Sequence, residues 1–100
     1  MIHARDIADT PEDVGIDSQR LEALFARARR DVDHGVLPSA QVAVARHGKL
    51  AGLRTFGSAV HGGQERPATD ETLYCIFSST KAVVAAAVWK LIETGDLRVD

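Results

Sequence analysis

Apolar residues return every three or four positions at Leu21, Leu24, Phe25, Ala28 and Val32. That is the period of one helical face. It predicts a helix from Ser18 to Asp33, with Asp17 as its N-cap and a stop near Gly35. Arg20, Arg27, Arg29 and Arg30 fall on the other faces, as on a solvated helix surface rather than a binding patch. Residues 1–16 ahead of it are polar and carry Pro11 and Gly15, which predicts an irregular, loosely attached arm. After Pro38 and Ser39 the rhythm shortens. Ala40-Gln41-Val42-Ala43-Val44-Ala45-Arg46 is mostly apolar with β-branched residues, the pattern of a strand covered on both faces. His47-Gly48 reads as a two-residue hairpin turn and residues 49–57 as the returning strand. Gly52 within that strand marks a bulge or a close backbone approach. Residues 58–72, with Gly62, Gly63 and Pro67, read as a polar loop, and residues 73–77 as a short extended segment. Apolar positions then dominate on nearly all sides, which predicts a buried helix over residues 79–94 ended by Gly95. Its alanines, Ala82, Ala85, Ala86 and Ala87, let neighbouring elements approach closely.

Composition narrows the range of functions. One hundred residues make one small domain at most. A net charge of −2, with both signs interspersed, carries no nucleic-acid footprint. The single cysteine, Cys75, excludes an internal disulfide framework, and its apolar surroundings predict a small buried side chain. The longest apolar run stops at Lys90, too short for a membrane span. The first nine residues hold no apolar signal-peptide core, so cytoplasmic residence is the default expectation. His3, His34, His47 and His61 are scattered without metal-ligand spacing, and no metal or cofactor is expected. Asp31 and Asp33 stand at i, i+2 and do not face one another, which makes them a poor acid/base pair.

The chemistry concentrates at Phe77-Ser78-Ser79-Thr80-Lys81. On a helix, Ser78 and Lys81 share one face at i, i+3, about 5–6 Å apart at Cβ. A serine hydroxyl becomes a nucleophile beside a base, and a lysine kept neutral is such a base. Burial disfavours its ammonium form, and the positive end of a helix dipole adds to that effect. The free N–H groups of the first turn also suit a developing oxyanion. A purely structural reading uses the same residues: Ser78 or Ser79 caps a buried helix and Lys81 snorkels out of its first turn.

Leu73-Tyr74-Cys75-Ile76-Phe77-Ser78-Ser79-Thr80-Lys81, the Ala/Val-rich helix and Leu91-Ile92-Glu93-Thr94-Gly95-Asp96-Leu97-Arg98-Val99-Asp100 together resemble a known region. It is the nucleophile region of the serine β-lactamase and penicillin-binding protein superfamily. The likeness is greatest to the class C-like branch, which includes β-lactamase-fold esterases and D-alanyl carboxypeptidases. Pro38, the His47-Gly48-Lys49 turn and Gly57 fall where that pattern has a strand start, a hairpin and a strand end. The resemblance therefore runs from about Asp17 to Asp100. It implies an α+β chain, the N-terminal part of a β-lactamase/transpeptidase-like fold, with helix, antiparallel β-hairpin, loop and buried nucleophile helix in that order. Residues 17–100 would be the N-terminal portion of the domain. It further implies Ser78 as nucleophile, Lys81 as its proton-accepting partner and the backbone N–H of Ser78 as an oxyanion donor. The enzyme would be a serine hydrolase acting through an acyl-enzyme on a small-molecule ester or amide, with neither nucleic acid nor membrane as partner. Carboxylesterase-like action is the first expectation. A β-lactamase or D-alanyl carboxypeptidase is an alternative, and so is a non-catalytic β-lactamase-fold binding or structural protein. Phe77 departs from the pattern, where the family more often has a small residue, and reshapes the pocket wall.

The resembled enzymes also use a Tyr-x-Asn or Ser-x-Asn motif and a late-strand Lys-Thr-Gly or His-x-Gly motif. Neither occurs here, and the one tyrosine, Tyr74, lies in a different context. An N-terminal fragment is therefore expected, whose site needs chain beyond Asp100 to be complete. His61-Gly62-Gly63 is similar to an α/β-hydrolase oxyanion loop, but that fold also requires Gly-x-Ser-x-Gly, which is absent. A glycine-rich loop is the expectation there.

Overall fold

A computed structural model describes residues 3–99. Met1 and Ile2 of the arm and Asp100 of the C-terminal motif lie outside the described residues. The chain is α+β. Helix α1 (Ser18–Asp33) is followed by strands β1 (Ser39–Arg46), β2 (Lys49–His61) and β3 (Gln64–Pro67), then by helix α2 (Thr80–Thr94). The strands form one antiparallel sheet in the order β1-β2-β3.

α1 begins where Asp17 Oδ1 accepts the Arg20 backbone N–H at 2.8 Å, as its N-cap position predicts. Leu21 and Phe25, one turn apart, are its buried residues and face the sheet. Each contributes about 1.5–3 kcal/mol by leaving water. Gly52 of β2 lies beneath them. A Cβ on it would come within 2.9 Å of Phe25 Cζ and 3.1 Å of Leu21 Cδ2, so only glycine lets helix and sheet meet at this distance. The register also shifts at this point: Val44 pairs with Gly52 and Ala45 with Leu50, leaving Ala51 as the extra residue of a bulge. Both readings of Gly52 are therefore realised.

Four expectations are corrected. β1 is covered on one face only. Ala40, Val42 and Val44 are half-buried toward α1, whereas Gln41, Ala43 and Ala45 are exposed on the other face. Residues 58–72 are not all loop. β2 runs on to His61, and Gly62-Gly63, with φ of 59° and 78°, turns it into β3. This ribbon buries no side of its own, so it has no apolar alternation to read; Ser58 Oγ donating to Glu65 Oε1 at 2.5 Å crosses it instead. His61-Gly62-Gly63 is thus the end of a strand and a tight turn.

The N-terminal segment, expected to be loosely attached, is docked where it is described. Ile7 bridges to Leu50, and the Ala8 N–H donates to Leu50 O at 2.9 Å. Arg46 Nη1 donates to Gly15 O at 2.8 Å. Ala8 and Val14 supply two of the buried core residues, beside Leu21 and Phe25. Small apolar residues among polar ones give no periodic signal, so the docking was not legible in the pattern.

The fourth correction is α2. It has the expected extent and ends on Gly95 in a left-handed conformation with φ of 80°. Yet it is exposed along its whole length, and it packs chiefly on the short turn that precedes it. Its apolar surface, including Val83, Val84, Trp89 and Leu91, faces solvent. The radius of gyration of 17.2 Å reflects this, against about 13 Å for a compact domain of this length. No helix of the described residues is long and apolar enough to cross a membrane.

Candidate active site

Ser78 sits in the middle of a 3-10 turn, Phe77–Ser79, that leads directly into α2. Lys81 follows in the first turn of the helix. Its Nζ donates to Ser78 Oγ at 3.4 Å, a long hydrogen bond of the kind that shortens when a substrate is bound. The i, i+3 spacing thus brings the two side chains together as expected. The capping reading is not realised. Ser79 occupies the N-cap with helical φ and ψ and makes no side-chain cap bond, and Ser78 Oγ accepts from Lys81.

Backbone geometry also marks the position. Phe77 has φ of 46°, a left-handed conformation costly for an aromatic residue, about 1–3 kcal/mol. Its side chain is 81 % exposed, so packing does not explain the strain. The chain turns sharply there and presents Ser78 at the helix start. The Ser79 N–H bonds to Ile76 O at 3.0 Å, while the Ser78 N–H has no hydrogen-bond partner among the described residues. A free amide beside the serine oxygen is what an oxyanion donor requires.

Two expectations about the surroundings fail. Lys81 is exposed, so the burial that would help keep its amine neutral is not supplied by the described residues. Cys75 is exposed too, on a segment ahead of Ser78 with no regular secondary structure. A hollow of about 740 Å³ is lined by Ile7, Leu53, Asp70 and Glu71 among others and does not include Ser78. Asp31 and Asp33 pair with Arg27 and Arg29, one helical turn back, and form the solvated helix end expected of them.

The sequence of residues 24–100 matches the model of the family described as Beta-lactamase. The chain belongs to this family. The matched span contains the turn, Ser78, Lys81 and α2. The chain is also similar to Esterase EstB of Burkholderia gladioli, 38 % identical over 81 residues. That alignment covers 81 % of this chain and 20 % of the esterase, so the chain spans about a fifth of its relative's length. No solved structure matches it. α+β class and element order agree with what family membership implies.

One polar cluster was not singled out by the sequence pattern. Gln41, Thr55 and Asp70 meet on the sheet face opposite α1. The one available signal was a glutamine at the third position of a strand whose interior is otherwise apolar.

Proposed function

We propose that the protein carrying this chain is a serine hydrolase that forms an acyl-enzyme on a small ester or amide, with carboxylesterase-like action. The observation that carries the reading is Lys81 Nζ at 3.4 Å from Ser78 Oγ, next to a Ser78 amide without a hydrogen-bond partner among the described residues. Support for the ester preference comes from the similarity to an esterase.

In the first step Lys81, as the neutral amine, takes the proton of Ser78 while Oγ bonds to the carbonyl carbon. The oxygen of that carbonyl becomes an oxyanion facing the Ser78 N–H. Collapse breaks the bond to the leaving alcohol or amine, which receives the proton from Lys81. Water then attacks the acyl carbon, the acid departs and Ser78 regains its proton. One amide is half an oxyanion hole, and a missing donor costs about 10²–10³ in rate. The remaining groups, and the cover that would desolvate Lys81, would come from chain beyond Asp100.

The family description supports a second reading, a β-lactamase, on the same nucleophile, with D-alanyl carboxypeptidase action as its variant. Both are tested in the complete protein with a p-nitrophenyl ester and a β-lactam. A mass adduct at Ser78 from the ester, with turnover abolished in Ser78→Ala, is expected. Substantial turnover by Ser78→Ala would refute the assignment. An adduct from the β-lactam alone would move the activity to the second reading, and no adduct from either would leave a binding or structural protein.

A further inference from the structure

The geometry points to Gln41, Thr55 and Asp70 as a clamp that positions Ser78 relative to the sheet. The inference rests on the serine-hydrolase reading and adds positioning residues to it. Gln41 and Thr55 are direct cross-strand partners on β1 and β2. Val42 and Val44, the alternate residues of β1, face α1, so Gln41 and Thr55 project from the opposite face. There Gln41 Nε2 donates to Asp70 O at 3.0 Å and lies 3.4 Å from both Thr69 O and Thr55 Oγ1. Thr55 Oγ1 donates to Asp70 Oδ1 at 2.5 Å. Both strands therefore hold one residue of the incoming chain, by its backbone and by its side chain.

The held segment is stiffened from within. The Thr69 N–H donates to Thr72 Oγ1 at 2.8 Å, and the Thr72 N–H returns to Thr69 O at 2.9 Å. The Ala68 N–H donates to Gly57 O at 2.9 Å, which fixes its start to β2. Beyond Asp70 the described residues up to Ser78 make no further hydrogen bond to the sheet. Residues 73–76 have no regular secondary structure, and Leu73 is 97 % exposed. α2 packs chiefly on the turn bearing Ser78, and the clamp is the last hydrogen-bonded attachment of the chain to the sheet before Ser78 among the described residues. Any group presented to the substrate from the sheet must meet Ser78 across this connection. A misplacement of about 1 Å costs on the order of 10²-fold in rate.

The test uses the complete protein, with a fluorine label on the exposed thiol of Cys75, which lies between Asp70 and Ser78. Gln41→Leu and Thr55→Val remove the clamp, and Thr55→Ser keeps the hydroxyl. The first two should broaden or double the label's ¹⁹F resonance. They should also slow acylation by a p-nitrophenyl ester about tenfold or more per titratable Ser78, with KM little changed, while Thr55→Ser restores both. Counting titratable sites removes any loss from misfolded molecules. An unchanged resonance overturns the clamp, and so does an unchanged per-site acylation rate where the unsubstituted protein acylates. Absence of a Ser78 adduct in the unsubstituted protein overturns the hydrolase reading, and the positioning role with it.

Discussion

Gly57 shows how much a single residue carries in this chain. Its φ is 84°, and a Cβ there would lie 2.3 Å from Pro38 O and 2.8 Å from Ser39 Cα. Both obstacles are backbone, which cannot swing aside as a side chain can. Gly57→Ala should therefore cost about 2 kcal/mol or more, read as a lower urea midpoint of the complete protein with an unchanged slope. Phe77 is the opposite case, a bulky residue in a conformation glycine prefers. Phe77→Gly should stabilise the protein by up to about 1 kcal/mol, read as a higher midpoint. On the proposed serine-hydrolase reading it should also slow acylation of Ser78, if the strained turn aims the serine. A gain in stability with no loss of rate would detach the strain from the site.

At the level of elements, α1 is held by few contacts of high value. Leu21 and Phe25 are its buried side chains, with Arg54 stacked over the Phe25 ring at 5.1 Å and 3.3 Å from Glu22. Phe25→Ala should cost about 3–5 kcal/mol, because the cavity would open directly over Gly52. Calorimetry of the complete protein would register it, and a loss below about 1 kcal/mol would mean that α1 is not packed as described. The start of α1 has a pH-sensitive clasp. Hydrogen bonds from Ser18, its side chain first and then its backbone N–H, hold the Glu12 carboxyl below the usual glutamate range. A depressed acid stabilises above its unfolded pKa, and that contribution is lost as pH falls through the folded value. Glu12→Gln should thus lower stability at neutral pH, where the ionised carboxylate contributes, and converge with the unsubstituted protein at acid pH, which flattens the acid limb. Identical acid limbs for the two proteins would exclude the clasp. The periodic helix and the first hairpin were legible because each has a buried face that forces a pattern. β3 was not, since a ribbon exposed on both sides imposes none.

Across the whole molecule, burial is unevenly distributed. Among the described residues the buried apolar side chains are Ala8, Val14, Leu21 and Phe25, all in the α1–sheet half. α2 leaves Val83, Val84, Trp89 and Leu91 in water, with Leu97 and Val99 beyond it. An apolar surface of this kind seeks a cover. A polypeptide of residues 1–100 alone should bind a hydrophobic dye, scatter light as its concentration rises and melt over a broad range. One sharp cooperative melt of a monomer would contradict this.

Local information in the chain settled a good deal. The period of three to four at Leu21, Phe25 and Val32 set α1, His47-Gly48 set the first turn, and the spacing of Ser78 and Lys81 put the two side chains within reach of each other. Those outcomes depend on interactions within a few residues. Other features depend on residues far apart in sequence, and only the tertiary structure decided them. The docking of Ala8 and Val14 is one, and the one-sided cover of β1 is another. The exposure of Lys81 and Cys75 is a third, because an apolar sequence records a preference for burial and not the presence of a partner. The same holds for Gln41, Thr55 and Asp70, which are scattered in sequence and become one cluster only when β1 and β2 are in register.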